Sequence, residues 1–552
     1  MINHDKVYHT PLLNTLRKAF HLILQSQKNG QTSQELLDIL HYRSSERRRF
    51  IGNAVKAGVA VSAAGILNGC KKVTDLVPPA PTGKNLAARK KNQPEIVIIG
   101  GGMAGLNCAY KLQNSGYTAT IYEGSSRTSG RIFSKQNLLA QGLYTELGGE
   151  FIDTGHKDML ALCSEFNLGL LDTGTVEESA YVRDSFYING KFHSEAQVIE
   201  AFHPYASRIK EDINSLPAVM TYDDHDATTV HFDNTSIAEY LDSIGMNGFL
   251  RKGIETAYLT EYGLETTIQS SINFLFLFSP KTADGFHIFG SSDERYKIEG
   301  GNQSLTQAIY KEVKNSVVLG HKLIKIEGRN SGYKLYFTNA NGNTVEVNAD
   351  IVVCAIPFTL LREVELDVEL PDWKTNAIKN LGYGTNAKLL LGFNTRVWRQ
   401  YQHSGYVFTD KALQTGWDNS WAQPGTNGGY TVYQGGNDGL ALGFGSPGSQ
   451  ATEFINQLEK MWPGCRHAYN GNVKRMHWPT SPFTKGSYAS YKLGQYTTIR
   501  GAEIKPIGNL YFAGEHCSAN FQGFMNGAAA TGRIAARSVI QSIKAVPLVS
   551  NG

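Results

Sequence analysis

The sequence has 552 residues, a length that at about 150 residues per domain implies three or four structural units or two large interleaved ones. Its 41% hydrophobic and 18% charged residues exclude a disordered chain, a coiled coil and a polytopic membrane protein, and 53 basic against 49 acidic side chains give no case for a nucleic-acid partner. The Cys residues (Cys70, Cys108, Cys163, Cys354, Cys465, Cys517) are too sparse for a disulfide scaffold and form no CxxC pair, and no metal-ligand spacing is found, so no metal is expected.

The N-terminal segment carries Glu46-Arg47-Arg48-Arg49-Phe50-Ile51, followed by a weakly apolar run from Ala57 to Leu67. That run is far shorter than the ~20 residues needed to span a bilayer. A basic cluster, a short apolar stretch and small residues form the layout of an export signal, here resembling the twin-arginine type. Leu67-Asn68-Gly69-Cys70 resembles a lipoprotein cleavage box, with Asn68 where a small residue is usual, so a lipidated Cys70 could anchor the chain to a membrane. A buried amphipathic helix is the competing reading. The segment predicts an exported protein, periplasmic or associated with the cell envelope. Residues 1–45 have no assigned role, and Val77-Pro78-Pro79-Ala80-Pro81 with the basic run to Lys91 reads as a linker.

The folded part is expected to begin near Pro94. Glu95 to Ile99 has the β-branched composition of a buried parallel strand, and Gly100, Gly102 and Gly105 follow in GxGxxG spacing. Met103 and Ala104 open a stretch with helical spacing to Asn114, and Thr118 to Tyr122 reads as a second strand closed by Glu123. This is the dinucleotide-binding order: a tight turn, close approach of backbone to a pyrophosphate, close helix packing, and a carboxylate for ribose hydroxyls. The helix N-terminus presents free N–H groups to the phosphates. Further on come Ser129-Gly130-Arg131, whose Arg can offer a planar donor fork to a pyrophosphate, and Glu146-Leu147-Gly148-Gly149-Glu150-Phe151, a second glycine segment; taken alone, the two also read as a surface loop and a turn.

From these residues onward the chain resembles the flavin-containing amine oxidases, the family of monoamine, polyamine and L-amino-acid oxidases. The segments around Gly130-Arg131 and Gly148-Gly149-Glu150-Phe151 match those that wrap pyrophosphate and flavin, with Ser129 where a second Gly is usual. Leu510 to His516, containing Gly514 and Glu515, resembles the family's closing strand, and Gly523-Phe524-Met525 leads into a long helix to about Lys544. The resemblance spans about Pro94 to Lys544. It implies an α/β fold: a Rossmann-like FAD-binding domain of amine oxidase type, interleaved with an α+β substrate domain. The implied order is FAD-binding at 94–160, 291–372 and 493–552 and substrate-binding at 161–290 and 373–492, behind an N-terminal segment 1–93. The substrate domain is expected to be helical in its first part and strand-rich in its second. Val317 to Glu327, Gly332 to Thr338 and Thr344 to Val347 read as strands of a meander, with Leu323 at the family's backbone contact to adenine, and Asp350 to Ile356 as a returning strand.

The resemblance also implies the chemistry. Lys388, embedded in an apolar strand, corresponds to the Lys that reaches flavin N5 through water; the alternative is an edge-strand charge facing solvent. Tyr488 and Phe524 correspond to the two walls of an aromatic substrate cage. Ser487 stands where some relatives carry a Cys bound covalently to flavin, so FAD is expected to be non-covalent. The implied reaction is oxidative deamination of an amine or L-amino acid by hydride transfer to flavin N5, with O2 reduced to hydrogen peroxide and ammonia released. A dehydrogenase or desaturase of the same fold, or a non-enzymatic FAD-binding envelope protein, are the alternatives. L-Amino-acid oxidases often place a carboxylate-binding Arg where this chain has Phe151, which argues against an amino acid; Arg251 and Arg295 are unranked replacements. The acidic run Tyr222 to Asp226 reads as a solvated loop or a polyamine contact. The oligomeric state is left open, with a homodimer compatible.

Overall fold

The computed structural model describes residues 93–276 and 292–545; the export and lipidation readings, the linker and Cys70 lie outside the described residues. The nucleotide layer is a five-stranded parallel sheet. Its strands are β1 (Ile96–Ile99), β2 (Ala119–Tyr122), β3 (Val317–Val318), β4 (Ile351–Cys354) and β5 (Leu510–Phe512), in spatial order β5-β4-β1-β2-β3. Helix α1 (Met103–Asn114) crosses from β1 to β2, and helix α2 (Met525–Ala545) packs along it. Alternation in β1 separates two cores. Ile96 and Ile98 meet α1 and α2, whereas Val97 and Ile99 face the other side of the sheet and join a core shared with the substrate-side helices. Each such side chain, fully buried, stabilises the fold by about 2 kcal/mol.

Close backbone approaches set this layer. A Cβ on Gly105 would lie 2.0 Å from the Gly100 carbonyl oxygen, so only glycine lets α1 sit against the turn that follows β1. A Cβ on Gly532 would lie 2.3 Å from the Ala104 carbonyl oxygen, and Asn107 Nδ2 donates to Ala529 O at 2.7 Å, locking α2 onto α1.

A four-stranded sheet of Thr344–Ala349, Tyr333–Asn339, His321–Gly328 and Glu365–Asp367 flanks the nucleotide layer. The stretch expected as one strand from Val317 to Glu327 is two. Gly320 adopts φ +69°, turning the chain so that Val317–Val318 closes the five-stranded sheet while His321–Gly328 starts the meander. The substrate side is built on a seven-stranded sheet of Tyr469–His477, Ala387–Phe393, Gly428–Gln434, Thr415–Asp418, His403–Thr409, Val182–Ile188 and Lys191–His193. The last two come from the first part, expected to be helical: Val182–Ile188 pairs parallel with His403–Thr409 and turns back through Asn189 and Gly190, both with positive φ. The rest of that part does form helices, including Gly248–Tyr262, which ends on the left-handed Gly263.

Gly105→Ala is expected to push α1 off β1 and cost about 3 kcal/mol or more, read as a lowered urea midpoint with an unchanged slope.

Candidate active site

A cavity of about 580 Å³ runs between the nucleotide layer and the seven-stranded sheet, within the range of ligand sites. At one end it is lined by Gly100, Gly102, Met103, Ala104, Glu123, Gly130, Arg131 and Leu323. The first turn of α1 has Gly102 as its N-cap and no side-chain cap, so its N–H groups open onto the cavity. Gly105 alone among the expected cofactor residues is not on the wall; it acts through the packing described above. Glu123 ends β2 with one carboxylate oxygen accepting from Gly101 N at 2.7 Å and the other from Ser125 N at 2.9 Å. An uncapped helix end, glycines in place of side chains, a guanidinium and a carboxylate at the strand end fit the pyrophosphate and ribose of a dinucleotide.

Distant segments are knotted at the middle of this cavity. Arg131 donates through one nitrogen to Glu515 Oε1 at 2.9 Å and to Ser487 O at 2.7 Å, and Glu515 Oε2 accepts from Gly523 N at 2.7 Å. Gly148 is required because a Cβ would lie 1.8 Å from the Arg131 carbonyl oxygen, and Gly149 because a Cβ would meet the Met525 side chain at 2.7 Å. Gly514 also borders the cavity.

Lys388 does not face solvent. Its strand, Ala387–Phe393, lies between two neighbours, and the residue is 5% exposed on the cavity wall. Its ammonium donates to Glu150 Oε2 at 3.0 Å and to Gly148 O at 2.8 Å, over the Trp417 ring at 5.3 Å. Glu150, also 5% exposed, is shared with Lys297, which donates to Oε1 at 2.9 Å and to Asn419 O at 2.7 Å. Burial would raise the Glu150 carboxyl, but the ammoniums of Lys297 and Lys388 hold it below the ordinary carboxylate range. Grouped by sequence with the cofactor contacts, Glu150 borders the cavity yet commits its carboxylate to these lysines. Lys297 was not identified from sequence; its only signal is a Lys in the short strand Tyr296–Ile298.

Tyr488 and Phe524 both line the cavity. The Tyr488 hydroxyl lies 3.0 Å from that of Tyr433 and donates to Glu261 O, and burial pushes its phenol well above the ordinary range. Phe524 packs edge-on to His156, ring centroids 5.3 Å apart. Ser487 donates to Asn386 Oδ1 at 2.8 Å, a hydroxyl contact with no thiol at this position. Sequence reading missed Tyr433, Tyr406 and Trp417: the two tyrosines flank Trp417 at 5.2 and 5.7 Å, and Phe151, grouped by sequence with the cofactor contacts, lies 6.1 Å from it. It also missed Asp153, a buried cavity residue that accepts from Glu294 N at 2.8 Å and lies 3.3 Å from His156 Nε2. Burial, with Asp293 adding to it, raises the Asp153 carboxyl to about 7, and burial drives the His156 imidazole down to about 3.

Arg251 and Arg295 are both engaged away from the cavity. Arg251 pairs with Asp242 and Glu255, and Arg295 makes a two-pronged contact with Asp172 at 2.9 and 2.8 Å. In the acidic run, Asp223 bridges Lys505 and Asp226 caps the helix Ala227–Asp233, leaving both off the cavity wall.

Residues 103–540 match the family model of flavin containing amine oxidoreductases, and the chain belongs to that family. It is 25% identical over 465 residues to the L-amino-acid oxidase of Demansia vestigiata, covering 81% of this chain and 87% of that protein. It is also 25% identical over 514 residues to the pseudooxynicotine dehydrogenase of a Pseudomonas species, covering 90% and 96%. The cyclohexylamine oxidase of Brevibacterium oxydans IH-35A shares its fold, with a TM-score of 0.71 at 18% identity over 82% of this chain and 99% of that one. The protein is an FAD-dependent amine oxidoreductase whose family carries out oxidative deamination.

Glu150→Gln leaves two buried ammoniums without their carboxylate and is expected to cost about 3 kcal/mol or more. Adding Lys297→Met should recover part of that loss, which a double-mutant cycle in urea measures.

Proposed function

We propose that the protein is an oxidase: it deaminates an amine or L-amino acid, passes the electrons to O2 and releases hydrogen peroxide and ammonia. One observation carries the reading: Lys388, Tyr488 and Phe524 open onto the same cavity as the glycine segments, Glu123, Arg131 and Glu515. The redox chemistry is that of the FAD such a cradle would hold, non-covalently, since Ser487 offers no thiol. Gly102, Met103 and Ala104 would offer main-chain donors to its phosphates, Glu123 an acceptor to its ribose, and Glu515 and Arg131 the polar contacts midway. Tyr488 and Phe524 flank the amine and exclude water, which favours its neutral form. Asp153, ionised above about pH 7, accepts the proton that an incoming ammonium must lose. Lys388 holds positive charge at the cavity wall, where an acceptor gaining electrons is stabilised.

FAD-loaded protein mixed anaerobically with amines, polyamines and L-amino acids should bleach, and air should restore the colour with stoichiometric peroxide. Bleaching that only a dye acceptor reverses would establish a dehydrogenase instead. Lys388→Met is expected to slow the aerobic return of colour by at least tenfold, with a smaller effect on bleaching. Asp153 is protonated below about pH 7 and cannot then accept a proton, so kcat/KM should fall as pH drops through that value. Asp153→Asn should remove this limb from the pH profile.

The proposed location is the periplasm or cell envelope, supported by the Arg47-Arg48-Arg49-Phe50 segment and the apolar run after it, with Cys70 as a lipid anchor. Fractionation of cells carrying the full chain or its Arg47→Lys/Arg48→Lys variant tests it: the variant should stay in the cytoplasm.

A further inference from the structure

Arg500 lines the cavity and is 5% exposed, yet it pairs with no carboxylate among the described residues. Its guanidinium donates through one nitrogen to Met220 O at 2.8 Å and rests near two rings, 5.2 Å from the Phe276 centroid and 5.5 Å from that of Tyr496. Cation–π contacts recover only part of the hydration a buried guanidinium gives up, and among the described residues Met220 O is the acceptor that its side chain has, out of five N–H donors. The other arginines on this wall differ. Arg127 donates to Thr128 O and Gly130 O within its own loop, and Arg131 is held by Glu515.

The opposite sign lies on other walls of the same cavity. Asp153, Glu261 and Glu294 line it, and Glu261 and Glu294 are close enough to act electrostatically on the Tyr433 phenol, beside Tyr488. The cavity therefore has carboxylates on the side of the aromatic wall and, among the described residues, a guanidinium at Arg500 that no carboxylate pairs. A planar fork of this kind matches a carboxylate with two parallel N–H bonds.

We infer that Arg500 binds a carboxylate of the substrate, so that the substrate is an amine that also carries a carboxylate; this rests on reading the cavity as the amine site. The position of Phe151 then says nothing against an amino acid, because the anion is held from a different segment. Phe151 packs against Trp417 and under the Lys297 ammonium, 5.4 Å from its centroid, and completes the aromatic wall instead.

The test uses FAD-loaded protein with L-amino acids and their decarboxylated amines, such as L-phenylalanine and 2-phenylethylamine, and 3-phenylpropanoate as a carboxylate without an amine. The wild type should favour the carboxylated member of each pair. Arg500→Gln should lower the ratio of the two kcat/KM values about 100-fold, mainly through KM, and weaken 3-phenylpropanoate binding, followed by calorimetry, by a similar factor. Arg500→Lys keeps the charge without the fork and should recover part of both effects; it also serves if the Gln variant does not fold. A selectivity ratio and a 3-phenylpropanoate affinity unchanged in either variant would overturn the inference while leaving the oxidase reading intact. Absence of bleaching with every amine and amino acid would overturn that reading instead, and the 3-phenylpropanoate measurement would still decide for or against Arg500.

Discussion

Glu150 is enclosed, with almost no contact with water, between the ammoniums of Lys388 and Lys297. An isolated charge in that position would cost several kcal/mol, so all three groups must be in place together. Each comes from a different part of the chain: Glu150 from the second glycine segment, Lys388 from the seven-stranded sheet, and Lys297 from the short strand Tyr296–Ile298 paired with Leu170–Asp172. Their mutual neutralisation ties the substrate-side sheet to the segment that approaches α2, and the cavity lies where these meet.

A second set of contacts, one ion pair and two bonds to main-chain groups, joins further segments. Arg131, Glu515 and the Gly523 amide connect the first and last segments of the nucleotide layer, while Ser487 O brings in the strand-rich region. The glycines at 148 and 149 permit this because neighbouring groups occupy the space their side chains would need. The result is a site whose walls are positioned by two sets of ion pairs, Glu150 with its lysines and Arg131 with Glu515, and by main-chain packing at the glycines.

What was legible in the sequence was what depends on local order. Strand, glycine turn, helix and strand between Ile96 and Tyr122 follow from adjacent residues, and Glu123 from its spacing. Lys388, Tyr488, Phe524, Arg131 and Glu515 were found because each lies in a motif that resembles those of a known family, and all five border the cavity. Lys297 and Asp153 lie in segments of that kind without being singled out, and Trp417, Tyr433 and Arg500 belong to no such motif; their contacts arise from pairings across the fold that no local pattern encodes. Arg251 and Arg295 were misleading for the same reason, since Asp242 and Asp172 had to be located before either could be set aside. The break at Gly320 did have a local signal, a glycine inside an apolar run, but only the divergence of the two sheets shows its effect.

The five-stranded sheet has a consequence for the order of assembly. Strand β5 pairs in register with β4, Val352 beside Leu510, across the whole of the strand-rich substrate region. During synthesis the first, second, third and fourth strands can associate well before the fifth exists, and until it arrives β4 presents an unpaired edge next to the unfinished cradle. Glu515 and the start of α2 emerge only after β5. The cofactor site is therefore completed only once β5 and the segment after it have been made, and FAD can be fully enclosed only after they have docked.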